Sequence, residues 1–361
     1  MPMRSFSLAT LCLALAIFPS CGGTSNTENT TTKGSVYVTL PSINGVSAFR
    51  IDSSAKFTPI VGSPFAAGSS PQSIVIHPNN KFIYVANRGS NNISLFTPDD
   101  RTGVLTEVMP RTPTGIDPQA MIMDTNGAFI YTANQASNTV SVYSVSSSSG
   151  ALSEIAGSPF ATTLQPTGLT LSRSGNLLYV SHPNLAMVSA YTVASGVLQP
   201  VPGSPFPVAG LGPTGLTTGP SDHFLYVANS ASNNISIMTI NATTGALAEI
   251  LASPMAAGTG PISFVTNSTP AFIYVVNLQS NNVSAFSVDA NTGALTALTG
   301  SPFAAGTGPI SGVIDSSGTT LFVVNQTAST ISLFGIKTDG TLNTSTTQSV
   351  GSAPGAIALT K

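Results

Sequence analysis

The chain has 361 residues, 42% of them hydrophobic and only 7% charged, a balance that argues against disorder and supplies ample material for a core. A net charge of -2 with 11 Lys and Arg leaves no basic face for phosphate, which argues against nucleic acid and anionic surfaces as partners. With charge this sparse the surface must be covered mainly by Ser, Thr, Asn and Gln, which suits an extracytoplasmic protein.

The first segment reads as an export signal. Arg4 supplies a short positive start, Ser5 to Phe18 an apolar run, and Ser20 a small residue ahead of Cys21. The run is too short to span a membrane as a helix. Phe18-Pro19-Ser20-Cys21 resembles a bacterial lipobox, with Phe18 where Leu is usual, so the sequence predicts a lipoprotein signal over residues 1–20 and lipidation at Cys21. Acyl chains there hold a protein durably on a membrane. Gly22, Gly23 and a Ser/Thr/Asn tract to Lys33 read as a flexible tether over 21–34. The predicted location is the cell envelope, lipid-anchored, on the periplasmic side or the cell surface. Cys12 leaves with the signal and Cys21 takes the lipid, so the mature body must be held by packing and sheet hydrogen bonds without a disulfide.

Beyond the tether the chain repeats itself. Tyr37, Tyr84, Tyr131, Tyr179, Tyr226, Tyr274 and Phe322 recur at spacings of 47, 47, 48, 47, 48 and 48. A second marker, Ser47, Ser94, Ser141, Ser189, Ser236, Ser284 and Ser332, keeps the same time, each Ser following Val or Ile. Within one unit the runs Ser73 to His77, Phe82 to Ala86, Ile93 to Thr97 and Val104 to Val108 are rich in Ile, Val, Phe and Tyr and read as strands. Pro-Asn-Asn, Asn-Arg-Gly-Ser-Asn and Asp-Asp-Arg-Thr-Gly between them are turn chemistry. Four short strands per unit, with no helical periodicity after the signal, predict an all-β fold: a seven-bladed β-propeller of four-stranded antiparallel blades over residues 35–361.

The ends predict how the ring closes. The first unit begins at Val36 with the second strand of a blade, and the last finishes with a lone first strand. Ala356 to Leu359 are therefore expected to supply the innermost strand of the blade whose other three strands come from residues 35 to 66, leaving no open edge.

The Tyr-Val-Ala-Asn and Ser-Asn-Asn-Ile-Ser segments, joined by Gly-Ser-Pro-Phe linkers, resemble the YVTN-type propeller repeats of the lactonase-like superfamily, which includes propeller-type 6-phosphogluconolactonases. The resemblance covers residues 35 to 361. It implies the propeller fold strongly and an activity weakly, since the matching residues are turn and strand residues. Lactonases of that group are expected to place His, Arg and Glu on the face that carries the linkers.

In a four-stranded meander the linker into the inner strand and the turn after the second strand emerge on one face, so that face is the predicted mouth. The residues following the Pro of each inner strand are Gln72, Gln119, Thr167, Thr214, Ile262, Ile310 and Gly355. This ring is polar on one side and apolar on the other, which suits an amphipathic ligand better than acid-base chemistry; equally it reads as channel packing. One linker departs from the consensus as Met109-Pro110-Arg111-Thr112-Pro113-Thr114, followed by Asp117-Pro118-Gln119. Arg88 sits in an Asn-rich turn, and His182 stands where the repeat has Asn. Arg88, Arg111, Asp117 and His182 are the candidates for an anion or sugar site, with His182, Arg111 and Asp117 the catalytic set if the protein is an enzyme. The bland alternative is a surface pair between Arg111 and Asp117.

Asn87, Asn134, Asn229, Asn277 and Asn325 are expected to cap turns by bonding nearby backbone, and Phe65, Phe160, Phe206 and Phe303 to wedge between blades. Gly210 to Gly215 fits G-x-G-x-x-G, but a strand is expected to follow it and no helix terminus would receive phosphate. Asp289, Asn291 and Gly293 read as a hairpin turn rather than a calcium loop, since the bidentate Glu is missing. His77, His182 and His223 fall in separate units, so no metal site and no cofactor are expected. Glu107, Glu154 and Glu249 fall on the outermost strand, far from the axis.

Two readings of function result. One is a monomeric binding module for a glycan, small metabolite or protein on the propeller face. The other is a hydrolase opening a sugar lactone or another lactone. The missing acid-base set and the predicted export favour binding, because phosphogluconolactone is a cytosolic metabolite.

Overall fold

In each unit the second strand reads as an unbroken apolar run, such as Ile-Tyr-Val-Ala, and a strand like this is one that is covered on both faces. The computed structural model describes residues 32–268 and 271–360 and meets that requirement by standing seven sheets side by side around an axis. Second strands such as Ile83–Asn87 and Leu177–His182 are buried at every residue. Outermost strands such as Leu152–Glu154 are largely exposed. The predicted signal over residues 1–20 and the predicted lipidation site Cys21 lie outside the described residues.

Each sheet is an antiparallel meander. The first blade takes Thr32–Leu40, Gly45–Asp52 and Phe57–Pro59 from the start of the chain and Ile357–Leu359 from its end. Val36 pairs with Leu359, Tyr37 with Ala358 and Val38 with Ile357, which is the closure the repeat phase predicts. The second blade runs Pro71–Ile76, Ile83–Asn87, Asn92–Pro98 and Leu105–Pro113; five further blades follow in chain order to Thr346–Ser349.

Packing lies between the blades. Seven clusters of buried apolar side chains each join two neighbours: Phe82, Tyr84 and Leu95 of the second blade meet Met121, Ile130 and Tyr143 of the third, and Phe49 and Phe57 of the first meet Phe322 and Leu333 of the seventh. Seven blades with seven such joints make a closed ring. Phe65, Phe160, Phe206 and Phe303 pack at these joints, as expected.

The linkers carry more order than turn chemistry implies. In five blades two linker residues, as in Phe65–Ala66, pair back onto the third strand. Just before them a linker Ser accepts a third-strand N–H: Ser63 from Ala48 and Ser301 from Ala285, at 2.8 and 2.9 Å. In the second blade Met109 occupies that place and has no such acceptor; there the outer strand itself continues through Arg111 to Pro113.

Candidate functional site

The linkers and the turns after the second strands do share one face, because they are bonded to each other. Arg88 N–H donates to Ser70 O and Gln135 N–H to Asp117 O, each at 2.9 Å. The residue that precedes the inner-strand Pro adopts a left-handed backbone in every linker. Gly212, Gly260 and Gly308 supply it without strain, whereas Ser70, Asp117, Gln165 and Ala353 hold φ between 46° and 63°. A side chain in that region costs roughly 1–2 kcal/mol. Such strain clusters where side chains are needed, and here it sets Asp117 and Gln165 on the mouth. The Asn that ends the preceding blade's turn fixes each in place: Asn91 Oδ1 accepts from Asp117 N–H and Asn138 Oδ1 from Gln165 N–H, at 2.9 and 2.8 Å.

On this frame one chain of hydrogen bonds crosses the second, third and fourth blades. Arg88 Nε donates to Asp117 Oδ1 at 2.5 Å. Gln119 Nε2 donates to the same oxygen at 3.0 Å and to Gln135 Oε1 at 3.1 Å. Gln135 Nε2 donates to Thr167 Oγ1 at 3.1 Å, and Asn184 Nδ2 donates to Gln165 Oε1. Beside this chain lies a groove of about 320 Å³ walled by Asp117, Gln135, Asn138, Gln165, Asn184, Leu164 and Leu185.

The structure therefore gathers Arg88, Asp117, Gln119 and Thr167. It does not bring Arg111 to them. Arg111 makes two bonds to Glu107, at 2.7 and 3.0 Å, along the outermost strand; that carboxylate raises the guanidinium's pKa. The partner of Asp117 is Arg88, so the expected pairing of Arg111 with Asp117 does not form. Gln72 is half-buried on the neighbouring inner strand and is not a link in the chain.

His182 lies beneath the groove, wholly buried. Its Nδ1 bonds Leu164 O at 3.0 Å and its Nε2 bonds Ser189 Oγ at 2.8 Å. Burial lowers its pKa, more than the Leu164 carbonyl raises it, so the ring is neutral at pH 7 and braces a groove wall from below. The five repeat Asn side chains are likewise buried, but they bond side chains of the third strand rather than backbone: Asn87 Nδ2 donates to Asn92 Oδ1 and Ser94 Oγ, at 2.9 and 3.0 Å. That is why the Ser marker keeps time with the Tyr marker.

The outer-strand glutamates brace linkers. Glu154 accepts from Ser158 Oγ at 2.8 Å, and Glu249 from Ala209 N–H at 2.8 Å. A strand, Pro213–Thr218, follows Gly210 to Gly212, as expected, and Asp289 Oδ1 closes a hairpin turn by accepting from Asn291 N–H at 2.8 Å. Among the described residues no three His, Cys, Asp or Glu side chains gather as metal ligands.

Sequence reasoning missed Gln135, Asn138, Gln165 and Asn184. Two of them were within reach of it: Gln135 holds the position of Arg88 one repeat later, and Gln165 holds that of Asp117.

The arrangement offers amide, hydroxyl and carboxylate groups to a neutral polar ligand, with its one guanidinium already held by Asp117. No curated protein matches this chain. Among solved structures, a Bacteroides uniformis protein described as a candidate 6-phosphogluconolactonase superposes with a TM-score of 0.77 at 19% identity, over 90% of this chain and 99% of that one. A Bacteroides fragilis protein with the same description gives 0.76 at 21%, over 93% and 99%. The periplasmic gluconolactonase of Pseudomonas aeruginosa gives 0.77 at 17%, over 91% and 99%. Identities this low speak for the fold alone. The family model described as lactonase, 7-bladed beta-propeller, matches residues 31–165, 156–264 and 272–359, and the chain belongs to that family.

Proposed function

We propose that the protein is an exported, lipid-anchored binding module that takes a neutral polyhydroxylated ligand, a sugar or a sugar-like metabolite, in the groove between the third and fourth blades. One observation carries this reading: the continuous chain from Arg88 through Asp117, Gln119 and Gln135 to Thr167. Hydroxyl groups that both donate and accept suit such a wall of amides, and the leucines beside it suit the apolar edges of a sugar. Nothing in the groove is poised as a base. His182 is fully buried with both ring nitrogens engaged, and Asp117 is engaged by Arg88 and Gln119. The apolar run Ser5 to Phe18, followed by Ser20-Cys21, supports export and anchoring.

The test is calorimetric titration of the chain from Gly22 onward, which contains the whole closed ring, with methyl β-D-glucopyranoside and related neutral glycosides. Saturable binding that weakens at least tenfold in Asp117→Asn or Gln135→Ala is expected; no binding in any member of the panel refutes the reading.

Lactone hydrolysis is the second reading, supported by family membership and by the likeness to a protein named as a periplasmic gluconolactonase. A family member outside the cytosol would meet lactones other than phosphorylated ones. Turnover of glucono-δ-lactone above the uncatalysed rate, lost in Asp117→Asn, would establish it and displace the first.

A further inference from the structure

The apex of each linker is the same structural position around the ring. Its carbonyl accepts a backbone N–H from the turn beside it: Ser69 from Gly89, Ile116 from Ala136, Leu211 from Ala231, Thr259 from Gln279 and Thr307 from Ala328. In the fourth blade the His182 ring bonds the equivalent Leu164 carbonyl. The fold asks nothing of the side chain at this point, and Ser or Thr fills it in four linkers, Ser352 included. In three consecutive linkers it is a large aliphatic residue, and each stands in solvent: Ile116 is 59% exposed, Leu164 57% and Leu211 62%. Leu185, 38% exposed, rises from the fourth-blade turn beside them. Exposed aliphatic side chains scattered singly need no explanation, but three at one repeated position in consecutive linkers do.

This crest adjoins the groove. Ile116 precedes Asp117, and Leu164 and Leu185 belong to the groove wall itself, so a molecule seated on the amides has aliphatic side chains beside it. The crest has no aromatic ring for stacking a planar face, and no free cation for a phosphate. Resting on the proposed function above, we infer that the ligand is amphipathic: a neutral polyhydroxylated head in the groove and an aliphatic chain lying over Ile116, Leu164 and Leu211.

Alkyl glucosides of increasing chain length test it, each below its micelle-forming concentration. Octyl β-D-glucopyranoside is expected to bind at least about tenfold more tightly than the methyl glycoside, a gain that burial of two methylenes would supply. The variant I116S/L211T changes two crest residues outside the groove wall to side chains that other linkers carry. It is expected to cut the octyl gain at least threefold while leaving methyl glucoside binding and the unfolding midpoint unchanged. Equal affinity for octyl and methyl glycosides would overturn the inference and leave the groove reading standing, as would an octyl gain that survives in the variant. Self-association of the wild type that the variant abolishes would also overturn it, by showing that a second copy covers the crest. Failure of every glycoside to bind would bring down the groove reading itself.

Discussion

The hydroxyl of Tyr84, on the second strand of one blade, donates at 2.7 Å to the carbonyl of Gly150 in the outer turn of the next blade. Tyr226 reaches Gly293 and Tyr274 reaches Gly340 in the same way, both at 2.9 Å. The most regular marker in the sequence is thus an inter-blade tie. Gly150 holds φ of 71°, and a Cβ there would stand 2.5 Å from the Phe82 ring, so the turn can lie against its neighbour only as glycine. Tyr84→Phe removes the tie and is expected to cost on the order of 1 kcal/mol, read from the denaturant midpoint at constant slope.

The buried tyrosines, Tyr143 with the repeat markers, set an alkaline limit. Burial raises the pKa of Tyr84, Tyr179, Tyr226 and Tyr274 well above the ordinary 10.0, and that of Tyr143 to about 12. Above pH 10 the unfolded chain gives up these protons while the folded ring keeps them, so their contribution is complete below pH 10 and is lost as pH rises from there. Urea midpoints are expected to hold from pH 8 to 9.5 and fall steeply beyond; a flat profile to pH 11 would contradict this account.

His182 works in the opposite direction. Its pKa in the fold lies below the ordinary 6.5 because it is buried, so its contribution is complete above pH 6.5 and declines as pH falls below it. His182→Asn restores the residue that five other blades carry. Between pH 8 and pH 5 the wild type is expected to lose more thermal stability than this variant, and equal losses would remove His182 from the explanation of acid sensitivity.

Gln165 offers a trade between fold and site. It holds φ of 55° where three other linkers have glycine, and its side chain accepts a hydrogen bond from Asn184. Gln165→Gly is expected to raise stability by roughly 0.5 kcal/mol, the relief of left-handed strain less the added freedom of the unfolded chain. It is also expected to weaken glycoside binding severalfold. A variant that lost stability would show that the strain is not where the geometry puts it.

Arg88 and Arg111 separate the site from the rim. Arg88→Ala is expected to weaken binding by freeing Asp117, whereas Arg111→Ala, on the outermost strand with Glu107, is expected to leave it unchanged. A loss in Arg111→Ala of the size seen in Arg88→Ala would restore the pairing that the sequence suggested.

The blades, their number and the shared first blade were all legible, because a repeat in which two markers keep time admits little else and the phase at the two ends is fixed by counting. The site was legible only where a residue broke the repeat conspicuously. Arg88 and Asp117 did so through charge, while Gln135 and Gln165 occupy the same two positions one repeat later and look like ordinary surface amides. Arg111 misled for a physical reason. Its linker lacks the Ser that binds the third strand, so the outer strand runs on through it and carries the guanidinium to Glu107 instead of to the mouth.

Because Ile357–Leu359 completes the blade that Thr32–Leu40 begins, Ser35 N–H finds its acceptor, Thr360 Oγ1, 325 residues further along the chain. Thr32–Leu40 therefore waits for Ile357–Leu359 before its sheet has an inner edge. Six blades can stack without it, but the ring stays open until Ile357–Leu359 is in place. Deleting Gly355 to Lys361 is expected to lower the melting transition of the whole ring, not to fray one strand, since both joints beside the first blade share the residues lost. A chain without Ile357–Leu359 is not a slightly shorter propeller but an unclosed one, with the backbone groups of Val36 to Val38 left unpaired along one sheet edge.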